Sequence, residues 1–198
     1  VTAIAARAGT RNAVGVRDAE RARFLYQPFY CEENVHQLCR DPLFAGRRCD
    51  VVFISNPDRT CVMWHQRAAR RPGGHLFWDY HVVLLTLADG WEVWDLDTTL
   101  GLPVPADEYL AGSFRDGIAP ELMPRFRIVD AALFVQTFAS DRAHMRLPGG
   151  AFRKPPPPWP PIGPPGAPSN LMRFVDMEQP FLGEVLDLAA LRARVAGG

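Results

Sequence analysis

The chain has 198 residues, 47% of them apolar and 22% charged, with a formal net charge of zero. That length and balance suit one globular domain with its own core. They exclude the basic footprint of a nucleic-acid binder and the polybasic patch of a membrane-surface protein. At the N-terminus, VTAIAARAGTRNAVGVRDAERAR lacks the continuous apolar core of a secretory signal, and no later apolar run reaches the length of a membrane span. We therefore expect a cytoplasmic protein, with residues 1–25 as a flexible arm and residues 26–198 as a single domain that includes a proline-rich loop at 148–168.

Residues 32–40 place Val35, Leu38 and Cys39 on one face, the spacing of a short amphipathic helix, which Pro42 and Gly46 close. CDVVFIS (49–55) reads as a buried strand ended by Asn56-Pro57-Asp58, and CVMWHQR (61–67) as a second strand, so 49–67 is expected to be a hairpin. Arg71-Pro72-Gly73-Gly74 is a loop. YHVVLLTL (80–87) is the strongest strand signal, and the short turn Ala88-Asp89-Gly90 sends WEVWDLD (91–97) back antiparallel to it. A helix over 106–114, a strand over 125–130 and a helix over 131–139 follow.

Residues 148–168 hold ten of the 19 prolines, Pro155 to Pro158 in a row. Proline has no amide to donate, so neither a helix nor a central strand passes here. We read the segment as a stiff loop lying across the body, with Phe152 and Trp159 as apolar anchors, rather than as a polyproline ligand for a partner. Two short helices end the chain, 170–177 and 188–195, the second capped by Asp187. The expected class is α+β, a mostly antiparallel sheet flanked by helices.

Cys31, Cys39, Cys49 and Cys61 fit no zinc-ligand spacing, and without a secretory signal they are expected as free thiols. A free thiol has a pKa of ~8.5 and needs a base, and the base needs an orienting acceptor. Cys31 stands at a helix start, where amide dipoles favour a negative sulfur, but Glu32 and Glu33 oppose it. Of the five histidines, His81 is mounted at the start of the strongest strand. The hairpin should return Asp95 and Asp97 to its side, both on one face. The residues alone do not choose between the two aspartates.

YCEENV (30–35), VFISN (52–56), WDYHVVLL (78–85), WDLDT (94–98), FASDRAHM (138–145), PPPPWP (155–160) and NLMRFVDM (170–177) occur in that order. Together they resemble the protein N-terminal glutamine amidohydrolase family, over about residues 26–186. The resemblance implies a papain- or transglutaminase-like scaffold. It also implies an enzyme that deamidates the side chain of an N-terminal glutamine through a cysteine thioester, without metal or cofactor, acting as a monomer. Carried over by motif, the nucleophile is Cys31, the base His81 and the orienting acid Asp95. Gln27 is a candidate oxyanion donor beside the Cys31 amide. Glu33, Asp79 and Asp97 are candidates for the substrate ammonium, Trp78 and Tyr80 for the apolar pocket walls, and Tyr30 is a further substrate-binding candidate. The same three side chains would also serve a protein glutamine deamidase, a transglutaminase or a peptidase. A non-catalytic module that binds N-termini would leave Cys31 unreactive.

Overall fold

The computed structural model describes residues 21–197; the expected flexibility of the arm falls chiefly on residues outside that range. The strand that decides the architecture is β1 (Arg48–Ser55). Alternation along a strand sends its apolar side chains to opposite faces. Val51 and Phe53 enter one core, Val52 and Ile54 another. A strand of this kind needs partners on both edges and cover on both faces. The edges are filled by β4 (His81–Leu87) and β7 (Arg125–Asp130), both antiparallel to β1. With β5 (Trp91–Trp94), β6 (Val104–Pro105) and β8 (Glu184–Asp187) the sheet has six strands in the order β6-β5-β4-β1-β7-β8.

One face is covered by α1 (Cys31–Leu38), α3 (Ala131–Thr137) and α4 (Leu171–Val175), which contribute Val35, Leu38, Phe134 and Phe174 to the core beneath them. The other is covered by α2 (Ala106–Ser113) and α5 (Leu188–Ala196) through Tyr109, Leu110 and Leu191. Helix starts follow their caps. Asp130 accepts from the Leu133 amide at 2.9 Å, and Asp187 accepts from the Ala190 amide at 2.8 Å. Phe24 packs into the core against Phe44 and Trp94, so the body begins before residue 26. No helix among the described residues is long and apolar enough to cross a membrane. The α+β class and the antiparallel β4–β5 pair agree with the sequence reading.

The hairpin expected over 49–67 does not form. Both edges of β1 are taken by β4 and β7, so β2 (Cys61–Trp64) has no ladder to join. It pairs instead with β3 (His75–Trp78), a strand absent from the sequence reading, in a separate two-stranded sheet. β2 also stops short of residue 67, because His65 adopts φ 56° and turns the chain away. That turn places Gln66 in an isolated bridge with Thr98. β8 likewise went unread. It can lie against β7 because Gly183 precedes it at φ 81°, where a Cβ would stand 2.1 Å from the Ile128 carbonyl oxygen.

Candidate active site

Cys31 is the first residue of α1, with Tyr30 as its N-cap and no side chain capping the helix. The loop before it is fixed from within the helix. Asn34 accepts from the Gln27 amide at 2.8 Å and donates to the Gln27 carbonyl at 2.9 Å. Phe29 sits at φ 69°, a costly conformation for a non-glycine residue, with Lys154 Nζ 4.3 Å from its ring centroid. Helix α1 packs across β4, whose first residue is His81. Cys31 and His81 thus line one cleft of about 440 Å³, together with Phe29, Trp78, Asp79, Tyr80, Asp97 and His144.

His81 is buried, with Trp78 stacked on its ring at 5.4 Å and 12°. Its Nε2 is 2.9 Å from Asp95 Oδ1, and its Nδ1 has no hydrogen-bond partner. The β4–β5 ladder stops at Leu84 and Trp94, and the same register continued would set Asp97 across from His81. The chain turns instead. Asp95 Oδ1 accepts from the Asp97 amide at 2.8 Å, and this turn brings Asp95 to the imidazole. Asp95 Oδ2 accepts from Tyr109 at 2.9 Å and from Gln66 at 3.1 Å.

Burial alone would raise the pKa of the Asp95 carboxyl, but His81 and these donors outweigh it and hold Asp95 below the usual carboxylate range. Burial alone would lower that of His81, but the charge of Asp95 and its hydrogen bond reverse this, and the imidazole is raised. Desolvation pushes the Cys31 thiol well up; Glu32 and Asp97 add to it, while a hydrogen bond with the Val82 backbone works the other way. Burial raises Asp97 as well, which accepts from Tyr26 Oη at 2.5 Å.

His81, Asp95 and Asp97 carry ligand-type atoms within 4.8 Å of one another. The Asp95 oxygens are already engaged by the ring of His81, the Asp97 amide, Tyr109 and Gln66, and Asp97 Oδ1 by Tyr26. The donor set suits a hydrogen-bonded relay better than a cation.

Trp78, Asp79 and Asp97 stand on the cleft as expected from the sequence; Gln27, Tyr30 and Glu33 do not. Gln27 Nε2 donates to the Pro155 carbonyl at 3.0 Å. Tyr30 is fully buried and its hydroxyl donates to the Lys154 carbonyl at 3.2 Å. Glu33 is fully buried, with Arg142 Nε and Nη2 on its two oxygens at 2.9 and 2.8 Å and Trp159 Nε1 at 2.8 Å. All three hold down the proline-rich segment: Gln27 and Tyr30 by donating to its carbonyls, and Glu33 as a buried carboxylate that takes the cation and donors it is offered. Glu32, Gln66, Tyr109 and His144 were missed as site residues. For Glu32 and His144 the signal was present, within YCEEN and FASDRAHM; Gln66 and Tyr109 lie in stretches with no motif.

The site thus sets a thiol at a helix start and a carboxylate-held histidine in one cleft on an antiparallel sheet, a grouping compatible with a hydrolase. Comparison with known proteins gives the particular kind. The family model described as N-terminal glutamine amidase matches residues 26–195. The chain is 39% identical to the human Protein N-terminal glutamine amidohydrolase over 163 residues, 78% of each chain. It is 39% identical to the protein of that name from Arabidopsis thaliana over 171 residues, covering 80% of this chain and 77% of the relative. With the one from Drosophila grimshawi the figure is 42% over 146 residues, 69% of this chain and 71% of the relative. The chain belongs to the N-terminal glutamine amidase family.

Proposed function

We propose that this chain is a hydrolase that deamidates the side chain of an N-terminal glutamine, leaving N-terminal glutamate and ammonia, in keeping with the names of its relatives. Cys31 is the nucleophile, His81 the base and then the acid, and Asp95 the group that orients the imidazole. One observation carries this reading: His81 is fastened to Asp95 through Nε2, while Nδ1 is left without a partner on a histidine that shares its cleft with Cys31.

The steps follow from amide chemistry. The Cys31 proton passes to His81 Nδ1 as the sulfur attacks the amide carbon. His81 returns that proton to the departing nitrogen, the carbon–nitrogen bond breaks, and ammonia leaves a thioester. Water then gives its proton to His81 and adds to the thioester. The carbon–sulfur bond breaks, and the thiol recovers the proton. The first N–H groups of α1 have no acceptor within the helix, and the Cys31 amide is the donor we assign to the tetrahedral oxyanion. Asp95, held below the ordinary carboxylate range, stays charged and supports the imidazolium in both half-reactions.

For the substrate ammonium we assign Asp79. It is exposed on the cleft, and among the described residues it makes no ion pair, whereas Asp97 is buried and bound to Tyr26. A nucleophile at the start of a helix laid across an antiparallel sheet that bears the base supports a papain- or transglutaminase-like lineage. Action as a monomer in the cytosol belongs to the same reading. The test is ammonia release from peptides with glutamine first, against the same peptides with the amino group acetylated and with glutamine internal. We expect ammonia from the first alone. Cys31→Ala should lose at least ~10⁴-fold in kcat/KM. Release that ignores acetylation, or peptide cleavage in its place, overturns the proposal.

A further inference from the structure

Glu32 is fully buried beside Cys31, and the steps above make no use of it. Its Oε2 accepts from Tyr80 Oη at 3.1 Å and from the Cys31 thiol at 3.8 Å. Its Oε1 has no hydrogen-bond partner and stands 3.6 Å from Nε2 of His144. Tyr80 Oη is also 3.4 Å from that nitrogen, and His144 lines the cleft. The arginine that would neutralise a buried carboxylate here is held elsewhere, since Arg142 grips Glu33. A buried carboxyl without a fixed cation keeps its proton more readily than an exposed one. Two acids about 4 Å apart in a desolvated corner do not both ionise without a large penalty, and the chemistry requires the charge on sulfur.

We propose that Glu32 is a positioning residue that works as a neutral carboxylic acid, its unpartnered Oε1 turned toward His144 Nε2, so that it sets no charge against the sulfur while Cys31 hands its proton to His81. The inference rests on the reading of Cys31 as nucleophile. The groups that face Glu32 are the thiol itself, Glu33 on the same helix, Tyr80 and His81 at the start of β4, and His144 from the loop after α3. Asp97 and Asp79 act on the thiol as well. Burial, with Glu33 adding to it, raises Glu32 to about 7 against the hydrogen bonds of its own backbone, of Tyr80 and of the Cys31 thiol. His144 is lowered, chiefly by burial, and so is a neutral acceptor. Above that pH, Glu32 gives up its proton, and its charge opposes the thiolate.

The experiment is the pH dependence of Cys31 alkylation by iodoacetamide, with ammonia release measured alongside, in wild type and Glu32→Gln. Glutamine keeps the shape and cannot ionise. The alkylation midpoint should fall by about one pH unit or more, and ammonia release at pH 6.5 should stay within about tenfold of wild type. An unchanged or raised midpoint, or a larger loss of release in a variant with native circular dichroism, overturns the proposal. A second measurement needs no variant. In wild type with ¹³C-labelled glutamate carboxyls, one glutamate should titrate with a midpoint near 7. If every glutamate titrates in the ordinary range, the proposal is overturned. Wild type that releases no ammonia from any glutamine-first peptide defeats the proposed function and leaves the alkylation result standing as a separate answer.

Discussion

Asp95 is fully enclosed, and four donors converge on it: the imidazole of His81, the Asp97 amide, Gln66 and Tyr109. Tyr109 comes from the helix on the opposite face of the sheet, so its hydroxyl fastens the acid to the far core. Tyr109→Phe should lower kcat by about tenfold with KM little changed, because the imidazole loses orientation and not substrate contacts. The same change should cost ~1–3 kcal/mol in denaturant unfolding, the usual loss when a buried acceptor is stripped of a donor. Spacing brings both aspartates to the end of β5 on one face and does not choose between them, and the ladder register by itself would set Asp97 across from His81. The choice is made by a turn at 95–98 and by partners from other elements, which no local pattern encodes. The placement of Glu33 is set in a like way, its partner Arg142 lying 109 residues away. Glu32 offers a pH test at this same scale. Its folded pKa is raised to about 7, so the unfolded chain loses that proton at lower pH than the folded one. Its contribution to stability therefore declines as pH climbs from the ordinary carboxyl range to about 7. The stability of wild type relative to Glu32→Gln should fall across that window, by up to ~3 kcal/mol, in urea titrations at successive pH values.

Among the elements, the proline-rich segment shows how a stretch outside the sheet, paired through its backbone at the isolated bridges Arg146–Phe152 and Ser140–Ile162, is held in place. Its run of prolines announced a stiff loop, and so did Trp159, but the fastening is polar. Arg142 stands at φ 61° and spreads its guanidinium over Glu33 and the carbonyls of Pro157, Trp159 and Pro160. The Trp159 indole returns to Glu33, and Gln27 and Tyr30 hold the carbonyls of Pro155 and Lys154. The same loop that precedes Cys31 is thereby tied to the strap. Arg142→Ala strands a buried carboxylate and should destabilise by ~3–5 kcal/mol in chemical denaturation. Arg142→Lys should recover little, because an ammonium lacks the fork that serves two oxygens and several carbonyls together. Limited proteolysis should then cut between residues 148 and 168 in both variants and spare the wild type. The mistaken 49–67 hairpin is an element-scale error of another sort. Two adjacent apolar runs do look like partners, and only the claims of β4 and β7 on the edges of β1 forbid it.

For the whole molecule, the sheet separates two cores, and the proposed chemistry stands on one of them. The continuous apolar run of β1 made a buried strand readable, but not which face would carry the site. That depends on α1 crossing β4, a contact between segments about fifty residues apart. Phe53 and Phe126 report on the two sides. Phe53 stacks on Phe174 at 5.0 Å and meets Phe134 edge-on at 5.7 Å, in the core against which Cys31 packs. Phe126 lies in the opposite core with Phe114 at 5.3 Å. Both are fully buried, so Phe53→Ala and Phe126→Ala should each lose ~3–5 kcal/mol in unfolding titrations. Their effects on turnover should differ. A cavity under the helices that include α1 lets the nucleophile drift relative to the base on β4, and an ångström of misplacement is enough to cost ~10²-fold. Phe53→Ala should therefore lose ammonia release per folded molecule, measured at a temperature where both variants are native by circular dichroism. Phe126→Ala should keep it, since the rigid sheet stands between its cavity and the thiol. Equal losses in the two would mean that the sheet transmits the disturbance, and that the division of this fold into a chemical face and a supporting face is wrong.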